Sequence, residues 1–166
     1  MAAAFWSHEG SERWRDRVLD TFQKQTFMHH LGAKLTALAP GEVEITISGA
    51  ATELRQHHGF FHAGVTTSIA DSAAGCAALT LFPEDKNVVT TEFKINLLRP
   101  AGGQKLVARG RVIKSGQSLS ICGADVYTAT DDSSEAGAAG GDGSKEVHVA
   151  TALLTMIPTA AIGAPS

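Results

Sequence analysis

The chain has 166 residues, 43% of them apolar and 19% charged, with a formal net charge of −3 at pH 7. That size and balance describe one compact domain able to bury a core without disulfides or metal. The absence of any run of like charges excludes a nucleic-acid or other polyanion-binding surface of the usual kind. The apolar share is unusual in kind, since 26 Ala and 17 Gly make up about a quarter of the chain, so the placement of these small residues decides how the core is built. The longest strongly apolar stretch, Ala73 to Phe82, is about half of what a bilayer span needs, and no membrane partner is expected. The N-terminus lacks a basic start and soon meets Glu9, Glu12 and Asp16, which argues against a signal peptide. Cys76 and Cys122 fall inside apolar periodic segments and read as reduced, packed thiols of a cytoplasmic protein.

From Ser11 to Phe27, the residues Trp14, Val18, Leu19, Phe22 and Phe27 recur at roughly helical spacing among charges, which predicts an amphipathic surface helix within an N-terminal segment 1–31. After Gly32 the period becomes two: Ala33, Leu35 and Ala37, then a Pro40-Gly41 turn, then Val43, Ile45 and Ile47, the pattern of a β-hairpin. Gln56 to Phe61 is a loop, and His62 to about Phe82 runs without Pro and is apolar nearly all round, which predicts a long, buried helix. Its Ala63, Gly64, Ala70, Ala73, Ala74, Ala77 and Ala78 let neighbouring backbone come close. From Val89 the two-fold pattern returns, with Val89, Thr91, Phe93, Ile95 and Leu97 on one face. Two further strands follow, about 105–114 and 119–128, joined by a tight Ser115-Gly116-Gln117-Ser118 connection, and a last strand carries Val147, Val149, Thr151, Leu153 and Thr155. Between these lies an Asp-, Ser-, Gly- and Ala-rich stretch, 131–144, with almost nothing to bury, expected to form a flexible insertion loop. Residues 159–166 are expected to be a tail. The order implies an α+β domain over 32–158, a mostly antiparallel sheet with the long helix packed across one face.

Asp71 departs most from its surroundings, a lone carboxylate among Ile69, Ala70, Ala73 and Ala74. An unpaired buried carboxylate is costly, so it either bonds a nearby hydroxyl or amide, faces a solvated crevice, or serves as a general base or nucleophile tuned by an apolar site. At the start of the same helix, His62-Ala63-Gly64 brings free amides and the positive end of the dipole together, a place for an oxyanion. Asp71 stands eight residues beyond Ala63, about 12 Å along the axis, so one helix cannot aim both groups at one reacting carbon. If they cooperate, two copies of the chain must meet. His57, His58 and His62 match no metal-ligand spacing, and no metal is expected. Ser68, Ser72, His62 and Asp71 hold the residue types of a catalytic triad without a Gly-x-Ser-x-Gly elbow.

Two stretches, Gln56-His57-His58-Gly59-Phe60-Phe61-His62-Ala63-Gly64 running on to Asp71, and Val88 through Arg99-Pro100-Ala101, resemble the PaaI-type hotdog acyl-CoA thioesterases. The resemblance implies a hotdog fold, a long central helix wrapped by an antiparallel sheet, with active sites between the subunits of a homodimer, often within homotetramers. It implies that Asp71 is the catalytic carboxylate, that the Ala63 amide beside His62 polarises the thioester carbonyl, and that Gln56, where many members carry Asn, orients the lytic water. Thr90 stands where a Ser or Thr hydroxyl assists. Gly64, the segment with Arg99 and Pro100, and the segment Lys114, Ser115, Gly116, Gln117 and Ser118 correspond to CoA-binding stretches, with Arg99 and Lys114 as partners of phosphates. The substrate would be an acyl-CoA or aryl-acyl-CoA, hydrolysed without any cofactor. The alternatives are a hotdog dehydratase acting on an enoyl or hydroxyacyl thioester, with His62 and Asp71 as its pair, and a non-catalytic acyl-CoA-binding protein.

Overall fold

A computed structural model describes residues 13–49, 52–129 and 146–160. The expected insertion 131–144, the first residues of the N-terminal segment and the tail beyond residue 160 lie outside the described residues. In chain order the elements are α1 (Arg13–Gln23), α2 (Thr26–His30), β1 (Ala33–Ala39), β2 (Glu42–Ser48), α3 (Ala63–Leu81), β3 (Lys86–Leu97), β4 (Lys105–Lys114), β5 (Ser120–Ala129) and β6 (Val147–Ala160). The strands form one antiparallel sheet in the order β1-β2-β4-β5-β6-β3, and α3 packs against one face of it. This is the hotdog arrangement.

Why helix and sheet lie so close is visible in the cross-strand register. The row Val43, Gly110, Ala124, Ala152 and Ile95 runs across β2, β4, β5, β6 and β3, and its middle is made of small residues. Opposite them α3 presents Ala70, Ala73, Ala74 and Ala77, each at most 1% exposed. A Cβ on Gly110 would meet the Ala73 carbonyl carbon at 2.3 Å, so β4 passes directly over the helix backbone. Larger residues fill the rim: Ile45, Leu106, Leu154, Met156, Ile69 and Leu79 are all buried. The helix ends as its sequence dictates, with His62 in an extended conformation capping its start and Pro83 two residues past its end.

Four sequence expectations need correction. The helix expected over 11–27 is two helices, broken at Gln25 (φ −78°, ψ 87°). Val18 and Phe22 point inward one turn apart, but after the break Met28 takes the buried place and Phe27 is 56% exposed. The single apolar face of β3 is split by a register shift between Thr90 and Glu92. Phe93, Ile95 and Leu97 pair with Leu154, Ala152 and Ala150 on the helix side, while Val89, paired with Ile157, belongs to the opposite face. The face expected of Ala33, Leu35 and Ala37 is likewise broken by a register shift between Leu35 and Ala37, which leaves Ala37 exposed and turns Leu38 to the core. Finally, β6 continues through Ala160, with Asn87 opposite Thr159 and Lys86 opposite Ala160, so the tail does not begin at residue 159.

The N-terminal helices pack on this core through Val18, Phe22 and Met28 and are bonded to the end of α3 through Arg17. The Arg17 guanidinium donates to the carbonyl oxygens of Leu79 (2.6 Å) and Phe82 (2.8 Å) and to that of Pro83. These are carbonyls at and just past the end of α3, where the helix dipole favours a cation. Burial lowers the Arg17 pKa, an effect partly offset by Glu84 and Asp85.

Candidate active site

Asp71 sits at mid-helix on the side of α3 turned towards β3, half-buried rather than fully enclosed. The Thr90 hydroxyl donates to Asp71 Oδ1 at 2.8 Å, and Met156 Sδ lies 3.2 Å from the same hydroxyl. With one proton to give, Thr90 gives it to the charged oxygen, the stronger acceptor. Asp71 and Thr90 share a cavity of about 230 Å³ whose walls include Ser72, Gly75 and Val88. Both alternatives to a catalytic role, a hydroxyl partner and a crevice, are therefore present, and a carboxylate with one fixed hydroxyl donor and open space is equally the arrangement of a general base. Its charge is felt nearby: burial and then the Asp71 charge push the Cys76 thiol up to about 12.

A second cavity, of about 690 Å³, lies at the start of α3 and is lined by Gln56, His62, Ala63, Arg99 and Pro100 among others. Its chemistry is that of a helix N-terminus. Gly64 N–H donates to His62 Nδ1 at 2.9 Å, and Val65 and Thr66 N–H return to the His62 carbonyl oxygen. Among the described residues no acceptor takes the Ala63 N–H, which is thus available to a ligand oxygen. Gln56 is held in its loop by backbone bonds to Phe60 and Gly59, and its Oε1 accepts from His58 N–H at 3.4 Å.

The residues expected to act together fall into three groups. Gln56, His62, Ala63, Arg99 and Pro100 converge on the larger cavity, and Asp71 and Thr90 on the smaller. Lys114, Ser115, Gly116, Gln117 and Ser118 line neither of these cavities. They follow the far end of β4 from Lys105, about 30 Å along the strand at 3.3 Å per residue. The turn there needs its glycine, because a Cβ on Gly116 would lie 2.7 Å from the Leu119 carbonyl oxygen. Gly64 is committed to its cap through its N–H. No serine triad forms: Ser68 donates to the Gly64 carbonyl and Ser72 to Gln25 Oε1, while His62 Nδ1 is occupied by Gly64. Among the described residues no three His, Cys, Asp or Glu side chains come together as metal ligands, and no helix is long and apolar enough to cross a membrane.

Sequence reasoning passed over Arg55. It donates to the carbonyl oxygens of Gly59 and Gly103 at 2.7 and 2.8 Å and lies over the Phe61 ring, 4.4 Å from its centre. It thereby ties the Gln56 loop to the segment after Arg99. No periodicity marks an arginine whose partners are all main-chain carbonyls and a ring.

A thioesterase superfamily model matches residues 58–135. A thioesterase family protein from Silicibacter pomeroyi is 35% identical, the match covering 89% of this chain and 98% of that one with a TM-score of 0.79. The chain belongs to the thioesterase superfamily. It shares its fold with a Haemophilus influenzae thioesterase, 22% identical over 87% of this chain and 90% of that one (TM-score 0.69). The same holds for the PaaI protein of the Escherichia coli phenylacetic acid degradation operon, 16% identical over 90% and 95% (TM-score 0.72). Among curated protein sequences none matches.

Proposed function

We propose that the protein is a cytoplasmic acyl-CoA or aryl-acyl-CoA thioesterase working as a homodimer, with each active site made from Asp71 of one subunit and the Ala63 amide of the other. The observation that carries this reading is the pairing of a carboxylate held by Thr90 at 2.8 Å in one cavity with an unused helix-start N–H in another. The carboxylate, as general base, takes a proton from water as the water oxygen attacks the thioester carbon, or attacks it directly as a nucleophile. The developing oxyanion is stabilised by the Ala63 N–H and the positive end of the α3 dipole. Collapse breaks the carbon–sulfur bond: on the general-base route the proton taken up by Asp71 passes to the leaving thiolate and the acid and CoA are released, while on the nucleophilic route CoA leaves first and water then hydrolyses the mixed anhydride left on Asp71 to the acid.

Support for the dimer comes from β3. It is an edge strand of 12 residues, and on its helix side Phe93 and Leu97 are 49% and 54% exposed, with Leu98 beyond them at 48%. A long apolar edge left open is an aggregation hazard that a partner strand removes. Arg99 and Lys114 are the cations assigned to CoA phosphates. A dimer of dimers is the assembly that the family likeness suggests. Two free, buried cysteines support a reducing compartment.

The test is release of free thiol from a panel of CoA thioesters by wild type and Asp71→Asn. A fall on the order of 100-fold or more in kcat is expected for the variant. Full activity in Asp71→Asn would remove Asp71 from the mechanism.

A further inference from the structure

The wall of the Asp71 cavity is completed by a part of the chain outside the sheet and its helix. Gln25, at the break between α1 and α2, lines it together with Thr21. Its position is fixed from both sides: its N–H donates to the Phe22 carbonyl at 3.1 Å and its carbonyl accepts from His29 at 3.2 Å. α1 is in turn bolted to α3 through Arg17.

Ser72, next to Asp71, shows the consequence. A serine inside a helix commonly donates back to the carbonyl four residues earlier, as Ser68 and Thr67 do on this same helix at 2.7 and 2.8 Å. Ser72 instead donates across the cavity wall to Gln25 Oε1 at 3.2 Å. In that bond Gln25 Oε1 is the acceptor, and the amide NH2, which carries two donors, takes no part in it. The remaining lining from Gly75, Cys76, Leu79 and Val88 is small or apolar. At about 230 Å³ the cavity exceeds the roughly 150 Å³ that receives a benzene molecule, and it is far short of the room a long alkyl chain takes.

We propose that Gln25, oriented by Ser72, is a specificity-determining residue of the acyl site: its amide NH2 donates to an oxygen carried by the acyl group. The protein then selects compact acyl groups bearing a hydroxyl or carbonyl over their plain hydrocarbon counterparts. The proposal rests on Asp71 being the catalytic carboxylate, which places the acyl group in this cavity. A site with donors built for a substrate oxygen disfavours the analogue lacking it, because the donors are then left unpaired.

The experiment compares kcat/KM for matched CoA thioesters differing by one oxygen, butanoyl against 3-hydroxybutanoyl and phenylacetyl against 4-hydroxyphenylacetyl. The proteins are wild type, Gln25→Leu, which keeps the volume, and Gln25→Glu, which keeps an acceptor for Ser72 and removes the NH2. Wild type is expected to favour the oxygenated member of at least one pair by about 10-fold or more. Both variants should bring that ratio to within about three-fold, the loss on the oxygenated member exceeding any change on the plain one. An equal ratio in wild type, or a preference that persists in both variants, overturns the role of Gln25 while leaving the thioesterase reading intact. No hydrolysis of any of the four thioesters overturns that reading and this one with it.

Discussion

Two glycines at the interface of α3 with the sheet should respond to alanine in opposite ways. At Gly110 the added Cβ would lie 2.3 Å from Ala73 C, 2.4 Å from Ala73 O and 2.5 Å from Ala74 N. All three are helix backbone, so no side-chain rotation relieves them, and reaching the ordinary contact distance of 3.4 Å requires β4 and α3 to separate by about 1 Å. That movement would loosen the whole alanine layer, because Ala108, Ala124 and Ala152 are packed in the same plane. Overpacking a core by a methyl group costs about 1–3 kcal/mol where side chains can yield; here only backbone can, so Gly110→Ala should lose at least about 3 kcal/mol. At Gly75 the nearest atom to an added Cβ is the Met156 methyl at 4.0 Å, and the residue is interior to α3. Alanine there should gain about 0.8–1 kcal/mol from helix propensity. Urea unfolding at one fixed protein concentration, with the slope checked for constancy, reads both changes. Gly110→Ala with wild-type stability would refute the register that puts β4 over Ala73.

The hydroxyl of Thr90 and the charges on the outer sheet face carry two further expectations. Thr90→Val removes the bond to Asp71 Oδ1; a hydrogen bond to a charged group is worth about 1.5–3 kcal/mol, so thiol release should slow by about 10- to 100-fold in kcat with the fold intact by circular dichroism. On the outer face, burial pushes the Glu44 carboxyl up, but hydrogen bonds from Thr36 and Arg109 and the Arg109 charge outweigh it and hold the carboxyl below its ordinary range. Asp125 is likewise lowered, burial being outweighed by bonds from Thr151 and Arg111. A carboxylate whose folded pKa is depressed contributes stability above its unfolded value, near 4, and loses it as pH falls through the folded one. Thermal melts from pH 6 down to pH 3 should therefore fall in Tm, and Glu44→Gln with Asp125→Asn should flatten that fall; an unchanged acid limb would refute the assignment.

The architecture was legible because it is written in periods. The hairpin from Ala33 to Ile47 is there, with Val43, Ile45 and Ile47 buried as their alternation predicts, although a bulge in its first strand exposes Ala37 and turns Leu38 to the core, and the alanines of 63–78 marked a helix enclosed on several sides. What escaped were features without a period. The bulge between Thr90 and Glu92 sends Val89 and Phe93 to opposite faces, although their spacing is that of one face. Gly110 looks like any strand glycine until the register sets it against Ala73, so the small residues of the helix were visible and their matching row in the sheet was not. The candidate site was suggested by chemistry that does not fit its surroundings: Asp71 in an alanine helix, a histidine and a glycine flanking Ala63. Gln25 gave no such signal, since a glutamine at a helix break is an ordinary surface residue until Ser72 turns towards it.

The separation of Ala63 from Asp71 has a consequence that can be measured without any partner structure. Within one chain the two groups stand about 12 Å apart along α3 and line different cavities, so the site proposed above, if it uses both, draws one from each of two subunits. Ala63→Pro replaces the N–H by a ring carbon while keeping the helix start: proline is well tolerated at the first helical position, and His62 before it is already extended at φ −64° and ψ 141°, as a residue preceding proline must be. Ala63→Pro and Asp71→Asn should each be nearly inactive alone. Unfolded together in equal amounts and refolded, they form half heterodimers, and in each heterodimer one of the two sites receives an intact Asp71 from one chain and an intact Ala63 amide from the other. About a quarter of wild-type activity per subunit should return, and mixing the folded variants without exchange should return none. If each site were built within one subunit, every site in every dimer would still lack one of the two groups, and the refolded mixture would stay as inactive as its parents.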